Sequence, residues 1–563
     1  MKHLLLILVG LFITSKISAQ WSTSVALNTP ICSTPSPSTR AGIVATPDGL
    51  GGMYIAWIDS RTSGNGSVYI QRVNLSNTQI FTKDGLLVAD PGTNISYLSI
   101  TPDGVGGAIL AWQTNDDIFA QRVTSAGAIG WANPVALTQN PASIQSNPQI
   151  AIVNTTEAIV VFLDDRNGNT DIYLNKILTS TGALQFVSDM PVCTATGTQS
   201  QVSGFPDGSG GVYVSWTDVR GADNDIYALH VKNDGTAEAG WAANGTVICN
   251  ASGVQGASMT VLDGTGGIYI AWEDSRSGNS DIYAQRSNAA GTVTWAPNGV
   301  VVCNATGNQL NPQVTPAADG MLLTWTDARS GTSNRNIFAQ KMAVADGAAV
   351  WTANGVTICN AADQQPSASA LGLKIVPDGV NGAIIVWNDQ RLGSSDRNIF
   401  AQRINTAGTI QWTANGVVIS SAGGNQGPDL GAVPITSTNG AYIVWQDSRS
   451  GTINGEIYAS VTDGTGNLSS SVYERIALEG SIKAYPVPAS KDIYLSLSKV
   501  KPGTYTVQVI DISGRMLLQN KTAVSGTEGL IETRIEQLQS GVYFIKLIHE
   551  SSKTESVFRF TKQ

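Results

Sequence analysis

The sequence has little histidine, little charge and few long apolar runs, and each shortage excludes a class of function. Its 563 residues include three histidines, His3, His230 and His549. The chain therefore has too few histidines to favour a histidine-based catalytic triad or a multi-histidine metal site. The sequence also lacks a P-loop, a dinucleotide fingerprint and a Cys-x-x-Cys pair. We therefore expect no cofactor and no metal, and we single out no catalytic residue.

The amino-terminal segment has the pattern of an export signal. Lys2 and His3 precede an apolar run over residues 4–13, and small residues lead to Ala19. This pattern predicts a secretory signal peptide over residues 1–19. The run is too short for the ~20 apolar residues of a membrane-spanning helix. We expect an exported protein with no transmembrane segment once the signal is removed.

The charge is divided unevenly along the chain. The formal net charge is −9, and removing Lys2 and Lys16 makes it −11. Residues 483–563 carry 11 Lys and Arg against 7 Asp and Glu, a net charge of +4, which leaves −15 for the segment before them. An acidic surface excludes nucleic acid and anionic lipid as expected partners, because phosphate binding relies on Lys and Arg.

One segment recurs through most of the chain. It is clearest at 267–276, Gly-Ile-Tyr-Ile-Ala-Trp-Glu-Asp-Ser-Arg, and is followed by Asp-Ile-Tyr-Ala-Gln-Arg at 281–286. Eight copies occur, each with a central aromatic residue: Trp57, Trp112, Phe162, Trp216, Trp272, Trp325, Trp387 and Trp445. Each repeat contains four strand patterns separated by turn signals. The sequence therefore predicts an all-β fold with an eight-bladed β-propeller at 20–471, with a seven-bladed ring and one stray unit as the alternative.

The two ends of the repeat region complement each other. The eighth repeat lacks its fourth strand, whereas Trp21–Cys32 has that pattern without the three strands that should precede it. We predict that residues 21–32 pair beside the third strand of the last blade, near residues 456–461. Such pairing would remove an open sheet edge.

The repeated polar residues have a structural and a functional interpretation. In seven repeats Asp and Arg follow the aromatic residue at the second and fourth positions. Catalysis needs a constellation once, whereas a contact between blades is needed in every blade, so we interpret the pairs as structural. The pattern breaks around Asp116 and Asp117 in the second repeat and at the insert 364–374. A catalytic pair of carboxylates would be sought at these two places.

Three further features receive structural interpretations. The five cysteines, Cys32, Cys193, Cys249, Cys303 and Cys359, fall at equivalent repeat positions, so we predict free thiols rather than disulfides. The Asp-Gly-x-Gly-Gly segments at 48–52, 103–107, 207–211 and 263–267 are interpreted as hairpin turns, because each offers one carboxylate where calcium needs six or more oxygens. His230 stands where other repeats have Arg, and we interpret it as a surface substitution.

The last part of the chain differs from the repeats. After a predicted linker at 472–483, alternating segments at 484–563 predict a small β-sandwich. This stretch opens with Tyr485-Pro-Val-Pro488 and contains Asp511-x-x-Gly514-Arg515 and Leu538-x-x-Gly541-x-Tyr543, with a basic end at Lys562. In these features it resembles the carboxyl-terminal sorting domain of the type IX (Por) secretion system of Bacteroidetes. The resemblance implies export across the outer membrane by the type IX machinery, removal of the domain, and release or attachment at the cell surface.

The expected function is binding rather than catalysis. The repeats resemble those of secreted bacterial propeller proteins of unassigned function, which implies an architecture but no site. We expect a secreted or surface-attached, non-catalytic binding or adhesion protein whose partner is an extracellular glycan or protein. The alternative is a propeller glycosidase or polysaccharide lyase with acids and arginines in the central channel.

Overall fold

The computed structural model describes the chain in 12 residue ranges. These ranges contain 39 β-strands. The described residues are 21–34, 40–138, 140, 142–331, 335–362, 372–393, 396–435, 437–451, 455–469, 481–511, 515–551 and 555–563. The predicted signal peptide, most of the predicted linker and residues 364–371 of the insert lie outside them. Within the described residues, no helix is long and apolar enough to cross a membrane.

The first four sheets of the repeat region each use four consecutive strands. Sheet 1 contains β2 (Ala41–Pro47), β3 (Met53–Asp59), β4 (Ser67–Val73) and β5 (Leu86–Ala89). Sheet 2 contains β6 (Ile95–Pro102), β7 (Ala108–Thr114), β8 (Asp117–Val123) and β9 (Val135–Ala136). Sheet 3 contains β10 (Gln145–Ile152), β11 (Glu157–Asp164), β12 (Asp171–Leu178) and β13 (Met190–Cys193). Sheet 4 contains β14 (Gln199–Pro206), β15 (Val212–Asp218), β16 (Asp225–Val231) and β17 (Thr246–Cys249).

The next four sheets follow the same order, except that the last takes one strand from the amino-terminal end. Sheet 5 contains β18 (Gln255–Leu262), β19 (Ile268–Asp274), β20 (Asp281–Ser287) and β21 (Val300–Cys303). Sheet 6 contains β22 (Gln309–Ala317), β23 (Gly320–Asp327), β24 (Asn336–Ala343) and β25 (Val356–Cys359). Sheet 7 contains β26 (Leu373–Pro377), β27 (Ala383–Asp389), β28 (Asn398–Ile404) and β29 (Val417–Ser420). Sheet 8 contains β30 (Gln426–Ile435), β31 (Gly440–Asp447), β32 (Glu456–Thr462) and β1 (Thr29–Cys32).

The sheets are joined in a ring through their first strands. The first strand of each sheet contacts that of the next, from β2 to β6 and onward to β30, and β30 contacts β2. The second strands are apolar on both faces because each sheet has a neighbour on either side. In β19, for example, Ile270 and Trp272 on one face and Tyr269 and Ala271 on the other are all buried. The fold is therefore all-β with propeller-like sheets, as the sequence predicted.

The predicted pairing between the two ends of the repeat region is confirmed. β1 runs antiparallel to β32, with Thr29 opposite Ala459, Pro30 opposite Tyr458 and Cys32 opposite Ile457. Trp21 is buried, and its indole Nε1 donates a hydrogen bond to the Leu75 carbonyl oxygen over 2.9 Å. The amino-terminal segment thus links the last sheet to the first.

The terminal domain, residues 481–563, contains two sheets around one apolar core. A three-stranded sheet has the order β33 (Ser481–Tyr485), β34 (Asp492–Ser498), β37 (Glu528–Arg534). A four-stranded sheet has the order β36 (Met516–Val524), β35 (Gly503–Asp511), β38 (Gly541–His549), β39 (Glu555–Lys562). Its core includes Leu495, Val507 and Ile545.

Candidate functional site

A recurrent cluster of polar side chains lies at the end of the second strand, and sheet 5 shows it clearly. The Asp274 carboxylate is fully buried. Its Oδ2 accepts a hydrogen bond from Trp272 Nε1 over 2.8 Å, and its Oδ1 accepts one from Arg276 Nε over 2.8 Å. Arg276 Nη2 lies 2.5 Å from Oδ2. Charge-assisted bonds of this fork geometry are strong and directional.

The arginine of this cluster connects neighbouring sheets. Arg276 Nη2 also contacts Cys249 Sγ at 3.1 Å and the Asn298 carbonyl oxygen at 2.9 Å. Its guanidinium lies 4.0 Å from the centre of the Tyr283 ring. Cys249 ends the outer strand of sheet 4, whereas Asn298 belongs to sheet 5. We call the set of Trp, Asp, Arg and the preceding sheet's Cys the clamp.

The clamp is repeated, which explains most of the sequence pattern. Equivalent arginine-to-thiol contacts are Arg61–Cys32, Arg220–Cys193, Arg329–Cys303 and Arg391–Cys359. All five cysteines are buried and free, as predicted. Burial raises the pKa of the Cys249 thiol to about 11. The geometry supports the structural interpretation of the Asp-x-Arg pairs.

The Asp-Gly turns also use their carboxylates internally. Asp263 Oδ1 accepts the backbone N–H groups of Thr265 and Gly267 over 2.7 and 2.8 Å, and Oδ2 lies 2.7 Å from Arg286 Nη2. These are hairpin turns, joining the first and second strands of their sheets. In the described residues, no group of three or more His, Cys, Asp or Glu side chains is placed to hold a metal ion.

His230 has the position predicted for it but not the predicted exposure. Its imidazole is buried, stacks on Tyr213 and lies 2.8 Å from Asp207 Oδ2. Burial by itself would raise the pKa of Asp207, but hydrogen bonds from His230 and Ser209 outweigh it and lower the pKa. The interpretation as a surface substitution was wrong, because this position packs against an aromatic ring of the second strand.

Sheet 2 breaks the clamp. Thr114 stands where the other sheets have Asp, and Asp116 stands where they have Arg. The buried Trp112 Nε1 and Gln113 Oε1 have no hydrogen-bond partner among the described residues. The preceding sheet has Ala89 in the place of the cysteine. All parts of the clamp are thus missing together, apart from the tryptophan.

The connection between the second and third strands is also short in sheet 2. β7 ends at Thr114 and β8 begins at Asp117, so two residues form the turn, with Asn115 at φ 48°. In sheet 1 the same connection spans residues 60–66. The shorter turn places the Asp116 carboxylate on an exposed turn and leaves the half-buried Asp117 at the start of β8.

An exposed aromatic residue lies beside this turn. β6 and β7 pair Ser96 with Gln113 and Ser99 with Ala111, so the intervening residues form a bulge. Tyr97 in the bulge has φ 49° and is 57% exposed. The equivalent bulge residues of the next two sheets are Asn147 and Gln201. We call Tyr97, Trp112, Gln113, Asp116 and Asp117 the sheet 2 break.

The first and second strands of the sheets hold another group of polar side chains. Lys374, the last residue of the predicted insert, lies on β26. Burial lowers the pKa of Lys374, and the negative charge of Asp429 opposes this shift only in part. Asp429 Oδ2 accepts the backbone N–H of Gly42 over 2.7 Å. Glu273 Oε1 accepts the backbone N–H of Asn311, also over 2.7 Å. These acids hold backbone groups of the adjoining sheet, so both are engaged in joining sheets.

Sequence reasoning located only part of the sheet 2 break. It singled out Asp116 and Asp117 as departures from the repeat but overlooked Tyr97. An aromatic residue among Asn and Gln at the bulge position was the available signal for Tyr97. Outside the break, Lys374 was marked only as the end of the insert 364–374, and no local signal placed Asp429 near it, because their proximity depends on contacts between separate repeats.

Three solved structures to which the chain is similar share 9–12% sequence identity with it. A protein of unknown function from Dyadobacter fermentans is 10% identical, with a TM-score of 0.34, covering 56% of this chain and 97% of that chain. The polysaccharide lyase Uly1 is 9% identical, with a TM-score of 0.40, covering 66% and 90% respectively. An endo-arabinase from Bacteroides thetaiotaomicron is 12% identical, with a TM-score of 0.26, covering 43% and 91% respectively. No curated protein matches the chain.

The terminal domain has a specific match. Residues 483–558 match the family described as the secretion system C-terminal sorting domain. The match falls on the domain in which the sequence features pointed to type IX secretion. A domain of this kind implies handling by the type IX machinery, with export to the cell surface or beyond. The chain therefore carries a type IX secretion system C-terminal sorting domain at residues 483–558.

Proposed function

We propose that this protein is an exported, non-catalytic glycan-binding protein built on a closed eight-bladed β-propeller. The sheet 2 break carries the proposal, because it combines an exposed aromatic ring with carboxylates outside the structural clamp. Tyr97 offers a ring face to a sugar, and Asp116 offers acceptor oxygens to its hydroxyl groups. A few placed polar groups beside an aromatic surface are typical of small-ligand sites.

The closed contacts among the first strands support the eight-bladed ring. Sheets 1 and 8 meet through β2 and β30, and β1 completes sheet 8. The seven-bladed alternative would leave one four-stranded sheet outside this sequence of contacts. Closure gives a rigid disc on which a weak glycan site can be presented repeatedly when several copies stand on one surface.

The surroundings of the acids favour binding over turnover. A glycosidase needs two carboxylates about 5–10 Å apart around the scissile bond. Glu273 and Asp429 are held by backbone N–H groups of neighbouring sheets. The clamp carboxylates are held by arginine and tryptophan. Among the departures from the repeat in the described residues, the glycosidase or polysaccharide lyase alternative would be sought first at Asp116 and Asp117.

A glycan array probed with the full chain tests this proposal. We expect retention on a subset of glycans and at least a tenfold loss with Tyr97→Ala, since truncating an aromatic residue at the centre of a binding surface costs about 2 kcal/mol. Tyr494→Ala, which removes a partly exposed tyrosine from the terminal domain, should bind as the wild type does. Retention unaffected by Tyr97→Ala would contradict the assignment. Binding to a protein partner alone would show that the ligand class is wrong.

Turnover needs its own assay. Chromogenic polysaccharides incubated with the full chain should release no product above the background of a heat-inactivated sample. Product release that is lost with Asp116→Asn or Asp117→Asn would replace the binding proposal with the enzyme alternative. Glycan retention without release supports binding.

Export is tested through the proposed division of the chain. We propose a signal at 1–19, a propeller at 20–471, a linker at 472–483 and a sorting domain at 484–563, with trimming near 472–484. Deleting 484–563 should trap the repeat region inside the cell envelope. Normal arrival of the truncated protein at the surface or in the medium would contradict the assigned role of the domain.

A further inference from the structure

The terminal domain lies against the face of the ring that carries the Asp-Gly turns. A Cβ built on Gly49 would stand 3.1 Å from Phe544 Cζ. A Cβ built on Gly541 would stand 2.7 Å from the Gly208 carbonyl oxygen, and one built on Gly266 would stand 2.7 Å from Gln539 Nε2. These separations place the two domains in direct contact at three turns.

The contacted turns are distributed widely around the ring. Gly49 lies in the turn of sheet 1, Gly208 in that of sheet 4 and Gly266 in that of sheet 5. In a ring of eight sheets, sheets 1 and 5 lie on opposite sides of the axis. One small domain that touches both must therefore cross the axis. A domain that crosses the axis lies over the centre of the ring on that face.

The charges of the contacting groups are complementary. Arg515 of the terminal domain lies against Gly264 and affects the ionisation of Tyr269 in sheet 5. Burial lowers the pKa of Arg559. The Asp103 carboxylate of sheet 2 is near enough to oppose this shift. The net charges of +4 and −15 on the two regions have the same complementarity. Such complementarity guides which surfaces meet.

We infer that the terminal domain is a cap that closes one channel mouth in the full chain. The Asp-Gly turn face is then an interaction surface whose first occupant is residues 481–563 of the same chain. A partner that needs this face or the channel behind it can reach it only after the cap leaves. This inference concerns the face opposite the sheet 2 break and does not depend on glycan binding there.

Cross-linking in the full chain tests the cap. The pairs Gly49→Cys with Phe544→Cys and Gly266→Cys with Gln539→Cys should each be joined in high yield by a short bismaleimide. The native cysteines are buried, so wild-type protein supplies the reagent background. A control pair, Gly379→Cys with Phe544→Cys, uses the equivalent turn of sheet 7. Its glycine has φ 80°, compared with 73° for Gly49, so the backbone strain of the substitutions is matched.

The cap predicts a cross-link from the terminal domain to both sheet 1 and sheet 5, with little product from the control pair. Equal yields for all three pairs would show a loosely tethered domain and overturn the inference. A cross-link to sheet 5 alone would also overturn it, because the domain would then lie beside the channel. Failure of glycan binding would leave these outcomes unchanged.

A charge reversal provides a second measurement. Arg515→Glu should lower the yield of the Gly49–Phe544 cross-link by about threefold or more, since it replaces a positive charge against the Asp263-Gly264 turn with a negative one. Arg534→Glu reverses an arginine with a 75% exposed side chain on β37 and should leave the yield unchanged. Equal effects of the two variants would contradict a specific contact.

Discussion

Sheets 5 and 2 share a strand order and a buried tryptophan but differ in the polar groups around it. In sheet 5 the Trp272 indole, the Asp274 carboxylate and the Arg276 guanidinium satisfy one another and hold Cys249 of the preceding sheet. In sheet 2 the Trp112 indole remains without a partner among the described residues. A sheet can therefore stay in the ring without the clamp, so the clamp contributes stability and is not a requirement of the fold.

The two sheets also differ in the role of their polar residues: in sheet 5 these residues join sheets, whereas in sheet 2 some are available for binding. Clamp residues recur because most junctions between sheets present the same task, and the full set occurs in five of the eight sheets. Residues at the sheet 2 break are free from that task, and they include an exposed ring and an exposed carboxylate. The departure from the repeat is thus a better guide to a site than the repeat itself. The following predictions test how far this contrast holds.

Removing the clamp carboxylate should have the largest effect. Asp274→Ala leaves the largely buried Arg276 without its counter-charge and Trp272 Nε1 without an acceptor. We expect the free energy of unfolding to fall by about 2–4 kcal/mol, because a partner of a buried ion pair is lost. Thr114→Ala, the equivalent change in sheet 2, should cost less than about 1 kcal/mol. Urea unfolding measures both, and equal losses would contradict the contrast.

The rate at which the cysteines are alkylated should show that the clamp is closed in the native protein. A pKa of about 11 for Cys249, compared with an ordinary 9.0, leaves about one hundredth of the usual thiolate at pH 8. Alkylation of the native protein should therefore be slow at all five cysteines, with or without reductant, and complete after unfolding. Mass spectrometry counts the modified thiols. Rapid labelling of native Cys249, or loss of four thiols without reductant, would contradict this prediction.

Replacing the tryptophans should show what the hydrogen bond contributes. Trp272→Phe removes ring volume and the N–H donor to Asp274, whereas Trp112→Phe removes similar volume from an indole with no acceptor. We expect Trp272→Phe to be more destabilising by about 1.5–3 kcal/mol, the net value of a hydrogen bond to a charged group. Thermal or urea unfolding of the pair provides the measurement. A smaller loss in sheet 5 than in sheet 2 would contradict the role of Asp274.

The sequence predicted the strands better than it predicted the contacts between them. The four strand patterns predicted in each repeat are observed as four-stranded sheets, and the amino-terminal segment pairs with the last sheet at Thr29–Cys32. Alternation and turn residues are local signals, so they can be recognised in one chain. The strand at Ser481–Tyr485 was missed because its first residues were assigned to the linker.

Contacts across the ring were beyond the reach of local patterns. The bulge that exposes Tyr97 follows from its pairing with β7 and from a positive φ that tyrosine rarely adopts. The contact of Arg276 with Cys249 and the electrostatic effect of Asp429 on Lys374 join residues that are distant in sequence. The repeat showed that cysteines occupy equivalent positions, but it did not indicate that the next sheet's arginine would contact them.

The smallest expected effect concerns the residue between the clamp tryptophan and aspartate. This residue is Glu273 in sheet 5 and Gln113 in sheet 2. Burial raises the pKa of Glu273, and hydrogen bonds from Asn311 and Ser280 oppose the change only in part. The folded protein therefore binds this proton more tightly than the unfolded chain does. Stability is greatest below the unfolded pKa of about 4.3 and falls as the pH rises through the higher folded value.

Glu273→Gln should make sheet 5 resemble sheet 2 at this position while keeping an oxygen for the Asn311 N–H. At pH 7 we expect the variant to be more stable than the wild type by less than about 1 kcal/mol, because it avoids burying a charge. At pH 3.5 the difference should vanish, since the wild-type carboxyl is then protonated in both states. Glu536→Gln, at an exposed position, serves as a control that should show no pH-dependent difference. A variant less stable at pH 7 would mean that the ionised carboxylate strengthens the junction between sheets 5 and 6, and the amide at Gln113 would then be a weakness of sheet 2.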